Sequence, residues 1–291
     1  MKKIFTLLAF TVSFSINAQM SDNSANNNTA GSYAVAMGYN TTASGNNSTA
    51  MGGDTNATGY RSTAMGEFTT ASGGRSSAMG WGTTASGDYS TAMGRGTTAS
   101  GTCSTAMGYN TTASGYRSTS MGRSTTASDY ASTVIGQYNS SGSSVTNNDT
   151  SFSTSNTAFV IGNGADSSNK SDAFKVMFNG DATVSNDLTV SGDVVISSDA
   201  RLKSNIVSLG STLPKLLQID GKSYEMKGKQ KIGVLAQEIQ EVFPELVTED
   251  GNEMLAVNYQ GLVPVLINAL KEQQSEIDEL KEMVQALASR D

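Results

Sequence analysis

Ser90-Thr91-Ala92-Met93-Gly94-Arg95-Gly96-Thr97-Thr98-Ala99-Ser100-Gly101-Thr102-Cys103 is one unit of the repeat that decides the fold. Its Met-Gly pair recurs at Met37, Met51, Met65, Met79, Met93, Met107 and Met121, always 14 residues on, and Ile135-Gly136 closes the series. A second glycine stands eight residues after each Met, at Gly45, Gly59, Gly73, Gly87, Gly101 and Gly115, until Asp129 breaks the row. Gly, Ser and Thr in every unit disfavour a helix. Fourteen residues at about 3.3 Å each give roughly 46 Å of chain, enough for one small coil with two extended segments, and such coils stack about 4.8 Å apart. The expected fold is mostly β, a parallel β-roll or β-solenoid. Each glycine is expected to open a turn, because it takes positive φ without steric cost.

Side chains alternate between faces along a strand. In Ser-Thr-Ala-Met, Ser and Ala share one face, Thr and Met the other. The interior of a 14-residue coil is narrow, so Ser and Ala fit inside and the Met residues form an outer ladder. The opposite arrangement, with Met inside, is the alternative. Burying one Met is worth about 1.5–3 kcal/mol, so an exposed ladder of them calls for a symmetric neighbour and predicts an oligomer with the ladder at its axis. Thr41, Thr69, Thr83, Thr97, Thr111 and Thr125 also recur in register. An ice-binding ladder is a minor reading of that row, since adjacent Thr residues face opposite ways. The Gly-Gly-x-Gly-x-Asp repeats of a calcium-binding roll are absent, and Gly162-Asn163-Gly164 lacks the strand–turn–helix context of a nucleotide loop.

Over residues 30 to 140 the unit Ser-x-Ala-Met-Gly-x-x-Thr-x-Ala-x-Gly resembles the head repeat of trimeric autotransporter adhesins of the YadA type, with Met in place of the usual aliphatic residue. The resemblance implies a left-handed parallel β-roll trimer at a cell surface, with a glycan or matrix ligand as a possible partner. No stretch resembles the membrane-anchoring barrel that ends such adhesins.

Composition excludes much else. The 291 residues are 37% hydrophobic and 15% charged, with no His and one Cys. No Ser-His-Asp triad, Cys-His site, His-ligated zinc or intrachain disulfide can form, and no cofactor or metal is expected. A net charge of −7 leaves nothing to neutralise nucleic-acid phosphates. Met1-Lys2-Lys3, the apolar run from Ile4 to Phe14 and Ile16-Asn17-Ala18 read as a secretory signal peptide over 1–18. No other run approaches the roughly 20 apolar residues of a membrane helix, so the mature chain is expected to be secreted or at the cell surface. Cys103 takes the place of Asn47, Arg61, Arg75, Tyr89 and Arg117 in other units, a variable position that suits an exposed thiol.

Residues 137–157 read as a loop, Ala158 to Gly162 as a degenerate coil and Ala173 to Phe178 as a strand. Asp181, Asp187, Asp193 and Asp199 are then six apart, in step with Val184, Val190 and Ile196. So short a unit cannot enclose a core and suits strands of three chains wound on one axis.

Charge density changes near residue 200, from about one residue in ten to about one in four, and all three prolines follow it; a small α+β domain is expected there. It opens with Ser198-Asp199-Ala200-Arg201-Leu202-Lys203-Ser204-Asn205-Ile206. A Ser five residues before a Lys carries no weight alone. The whole stretch, with Ile232 to Val247 and Val257-Asn258-Tyr259, resembles the peptidase S74 family, the intramolecular chaperone of phage endosialidases and tail spikes. The resemblance implies self-cleavage between Ser197 and Ser198 by a Ser–Lys dyad, with Ser198 as nucleophile, Lys203 as base and Asn205 as a possible supporting residue. A Ser hydroxyl is a weak nucleophile until a base takes its proton, and Lys serves once desolvation lowers its pKa. The last stretch places Val263, Leu270, Ile277 and Val284 at heptad position a and Leu266, Leu280 and Leu287 at d, with Gln273 interrupting, the pattern of a coiled coil; a helix packed on its own domain is the alternative. The expected organisation is a head over 19–140, a neck over 141–197 and a self-cleaving trimerisation module over 198–291.

Overall fold

Each 14-residue unit folds into one coil: a five-residue strand, a turn, a two-residue strand and a second turn, as in Thr91–Arg95 and Thr98–Ala99. The computed structural model describes residues 27–249 and 253–289, so the segment read as a signal peptide lies outside the described residues. The long strands stack in an 11-stranded sheet and the short ones in a 7-stranded sheet. Pairing is parallel and 14 residues out of step, so each residue meets its own equivalent: Ala78 pairs with Ala92 and Met79 with Met93.

The interior is as narrow as the repeat implies. Ala50, Ala64, Ala78, Ala92 and Ala106 are fully buried, as are Ser48, Ser62 and Ser76. Met and the preceding Thr lie on the outer face, half-buried, from Met37 to Met121. The Thr row from Thr41 to Thr125 is also fully buried. It lines the coil and has no access to ice.

The glycines divide into two roles, where the sequence suggests one. Gly94 has φ +119 and opens its turn as expected. Gly87 does not have positive φ; a Cβ there would lie 2.2 Å from the carbonyl oxygen of Gly101 on the next rung. The second glycine of each unit is therefore required by close approach of neighbouring coils. The left-handed backbone of that turn falls instead on the variable residue two positions on, such as Arg75 (φ 59), Tyr89 (φ 58) and Cys103 (φ 59).

The stack ends in an ordered plug. Thr157–Asn163 pairs parallel with Thr133–Gln137, matching Ile135 to Ile161, and so forms the degenerate last coil. The intervening loop replaces the missing short strand. The Asn139 side chain accepts from Thr126 N at 2.8 Å and donates to Thr126 O at 2.9 Å, as a neighbouring peptide group would. Asp129, in the glycine row, is fully buried; its carboxylate accepts from Thr146 N at 2.6 Å and Thr157 N at 2.8 Å. An open sheet end is a template for further pairing, and this loop covers it.

Asp172–Met177 and Ala182–Val184 continue the sheet antiparallel. Beyond them, residues 185–199 form no strand within the chain. The six-residue period thus yields no intrachain β structure after Val184; Val184, Val190 and Ile196 are exposed. One compact unit extends to Asp193 and a second starts at Val194.

The second unit is small and α+β. A hairpin joins Lys222–Met226 to Lys229–Gly233, and a second strand pair joins Val247–Glu249 to Leu255–Val257. Helices α1 (Leu213–Leu216), α2 (Ala236–Val242) and α3 (Leu262–Ala288) complete it. Its core is Ile239, Phe243, Leu246 and Val265. Only the start of α3 is anchored there, through Val265 and Ala269. The heptad residues Val263, Leu266, Leu270, Ile277, Leu280, Val284 and Leu287 are all exposed within the chain. None of the described helices is long and apolar enough to cross a membrane.

Candidate functional site

The site is one tight turn. Asp199 precedes a 3-10 turn over Ala200–Leu202, and its side chain accepts from Arg201 N at 2.8 Å. A short acceptor side chain at this position favours such a turn, because it satisfies an N–H the turn leaves open. The guanidinium of Arg201 closes back on the same carboxylate, Nε at 3.0 and 3.1 Å and Nη2 at 2.7 Å. That fork holds the Asp199 carboxyl below the usual carboxylate range, the Arg201 side chain being the first cause and its backbone N–H the second. Lys203 N donates to Ala200 O at 3.1 Å and ends the turn.

The turn returns the Lys203 side chain to its origin: Lys203 Nζ donates to Ser198 Oγ at 2.7 Å. The two residues singled out for chemistry are thus in direct contact. Asn205 is not part of the contact. It takes left-handed backbone (φ 54), which Asn tolerates, and makes no hydrogen bond to Ser198 or Lys203. Ser197, Ser198 and Lys203 are exposed. Sequence reasoning missed the Asp199–Arg201 fork. Its signal was present as an acceptor residue one position before a turn with Arg two residues on.

The rest of the unit is tied together by α3. Glu272 accepts from Thr212 N at 2.6 Å and from Ser211 Oγ at 2.7 Å, at the start of α1. Thr212 Oγ1 donates to Val265 O at 2.9 Å. The bonds from Thr212 and Ser211 lower the Glu272 pKa. A lowered carboxyl pKa contributes stability that is present above the unfolded value and lost as pH falls through the folded one. Melting of this unit followed between pH 7 and pH 3 should show an acid-dependent loss, and Glu272→Gln should reduce that dependence, the rest coming from Asp199 and Asp278, while lowering the melting temperature at pH 7.

A stacked-coil region followed by a small domain that opens on a Ser–Lys contact defines the class: a repeat-built β region with a separate small module after it. Comparison with known proteins gives the parts. The YadA head domain repeat matches residues 30–55, 57–83, 85–111 and 113–139. The peptidase S74 family, described as the chaperone of endosialidase, matches residues 198–248 and so begins at Ser198. The chain carries both. It is also 36% identical over 84 residues to the long tail fiber protein Gp37 of Escherichia phage AR1, covering 25% of this chain and 8% of that protein. The same identity holds over 92 residues with the protein of that name from Enterobacteria phage K3, covering 28% and 7%. The chain therefore spans less than a tenth of the length of these relatives.

Proposed function

We propose that the chain is an exported, homotrimeric, adhesin-like fibre whose C-terminal module registers three chains and then releases itself by cutting before Ser198. The head spans 19–140, the neck 141–197 and the module 198–291. The observation that carries the reading is the 2.7 Å contact between Lys203 Nζ and Ser198 Oγ at the first residue of the chaperone match. Ser198 Oγ attacks the carbonyl carbon of Ser197 as its proton passes to the neutral Lys203 amine. The peptide C–N bond breaks, the amine of Ser198 takes a proton, and the resulting ester is hydrolysed by water. The event is single-turnover and in cis.

Three exposed or half-exposed apolar surfaces support the trimer: the Met ladder, Val190 and Ile196 of the neck, and the heptad face of α3. Joining three chains early, through a C-terminal clamp, raises their effective concentration for winding the rest. After release the shaft is held by its unfolding barrier. Light scattering on the Ser198→Ala chain is expected to give a mass of three copies; a monomer at micromolar concentration would contradict the reading.

One observation favours a second reading, a permanent trimerisation cap without cleavage. Ser198 and Lys203 are both exposed in the single chain, and a lysine becomes a base only when desolvation disfavours its charge. On the cleaving reading, neighbouring chains of the trimer supply that burial, so cleavage follows assembly.

A further inference from the structure

We propose that one edge of the head, along Phe68, Trp81, Arg95, Tyr109, Arg123 and Tyr138, is a docking strip for a linear, carboxylate-bearing polysaccharide. The proposal deepens the adhesin-like reading and rests on the head being displayed as a fibre.

In the repeats, sequence variation concentrates in the turn positions. On this edge they carry aromatic residues and arginine, the residue types that dominate binding hot spots. Phe68, Trp81 and Tyr109 are exposed, at 50%, 45% and 40%, and so are Arg95 and Arg123. Arg95 lies between two rings, 4.9 Å from Trp81 and 5.5 Å from Tyr109. Arg123 lies 5.5 Å from the ring of Tyr138. Ring contacts hold each guanidinium in place and leave its N–H edge free.

Two further observations point outward. The first is backbone cost. Phe68 (φ 55) and Tyr138 (φ 43) hold left-handed backbone at turn positions where two other units place Gly82 and Gly96. A bulky residue there works against the turn, as Arg75 and Tyr89 do on the opposite edge. The second is unpaired charge. Every cation between residues 20 and 169 is Arg, which forms a planar fork matched to carboxylates, as Lys does not. On the opposite edge Arg75 donates to Tyr89 Oη at 2.7 Å and Arg117 to Tyr130 Oη at 3.0 Å. Arg95 and Arg123 have neither such a bond nor an ion pair among the described residues. On the same edge Glu67 pairs with Trp81 and lies two coils from Arg95, so the part of the strip that can take a carboxylate runs from Arg95 to Arg123.

The spacing selects the ligand. Arg95 and Arg123 are two coils apart, roughly 10 Å from twice the strand spacing. That suits an extended polyuronate in which every second unit turns its carboxylate to the same side. The net charge of −7 does not oppose it: residues 20–140 hold five acids and five arginines, and the excess of acids lies beyond them. Three copies per fibre add avidity.

The test is binding of the full-length Ser198→Ala trimer to polygalacturonate, with dextran and poly-glutamate as comparators. Polygalacturonate should bind, dextran should not, and poly-glutamate should bind at least tenfold more weakly. Arg95→Gln with Arg123→Gln should weaken polygalacturonate binding at least tenfold, and Arg61→Gln with Arg75→Gln on the opposite edge should change it less than twofold. Failure to bind polygalacturonate, equal loss in both double variants, or equal binding of poly-glutamate would each overturn the proposal. A monomeric mass in the same sample would instead mark failure of the fibre reading.

Discussion

Replacing Gly87 by Ala should destabilise the head by about 3 kcal/mol or more, the upper range for forcing volume into a filled interior. The added Cβ would sit 2.2 Å from the carbonyl oxygen of Gly101 and 2.6 Å from its carbon. Both are backbone atoms of the next coil, so no side chain can swing aside. Relief requires the two coils to part, and in a stack where each repeat contacts only its neighbours that divides the head. Gly82→Ala in the same coil is the comparison. Its Cβ would meet nothing within 4 Å, and only the left-handed backbone (φ +60) opposes it, at a cost of about 1 kcal/mol. Thermal unfolding of the two variants should separate them clearly. Equal losses would mean that the coils do not approach as closely as the register indicates.

Placing Glu at both Met79 and Met93 should convert the trimer to monomer once the C-terminal module has been released. The two positions are paired across adjacent strands and half-buried in the single chain, so the chain itself still folds. Assembly would lose roughly 1.5–3 kcal/mol of apolar burial per Met. It would also gather like charges from three chains at the axis, with the two Glu of each chain about 4.8 Å apart along the ladder. Leu at the same positions should preserve the trimer, since Leu and Met exchange at small cost. Light scattering reads the mass, and retained strand content by circular dichroism shows that the coils survive. A trimer that tolerates the Glu pair would place the ladder away from the interface.

The head was readable from sequence because its period is strict and its interior narrow. Period two within the strand puts Ser and Ala on one face, and only small side chains fit inside, so Met had to lie outside. Contacts between coils were not readable. Gly87 answers to Gly101, fourteen residues away, and its role follows from the stacking distance. For the same reason the left-handed backbone at Arg75 and Tyr89 was invisible in residues that rarely adopt it. Asp129 looked like a break in the glycine row, yet its carboxylate closes the end of the stack through Thr146 and Thr157.

At the site, the spacing of Ser198 and Lys203 meant little until the turn was in view. The 3-10 turn at Ala200–Leu202 shortens five residues to a 2.7 Å contact, and the Asp199–Arg201 fork that shapes it emerges only with that turn. The neck stayed illegible for a different reason. Val190 and Ile196 are exposed, and residues 185–199 form no strand within the chain.

The most direct measurement is the intact mass of purified wild-type chain beside Ser198→Ala and Lys203→Ala, each confirmed as a trimer. The account predicts that the wild type yields a fragment beginning at Ser198 while both variants remain uncut at that bond. A wild-type trimer that stays whole, or a variant that is cut at the wild-type rate, would contradict it.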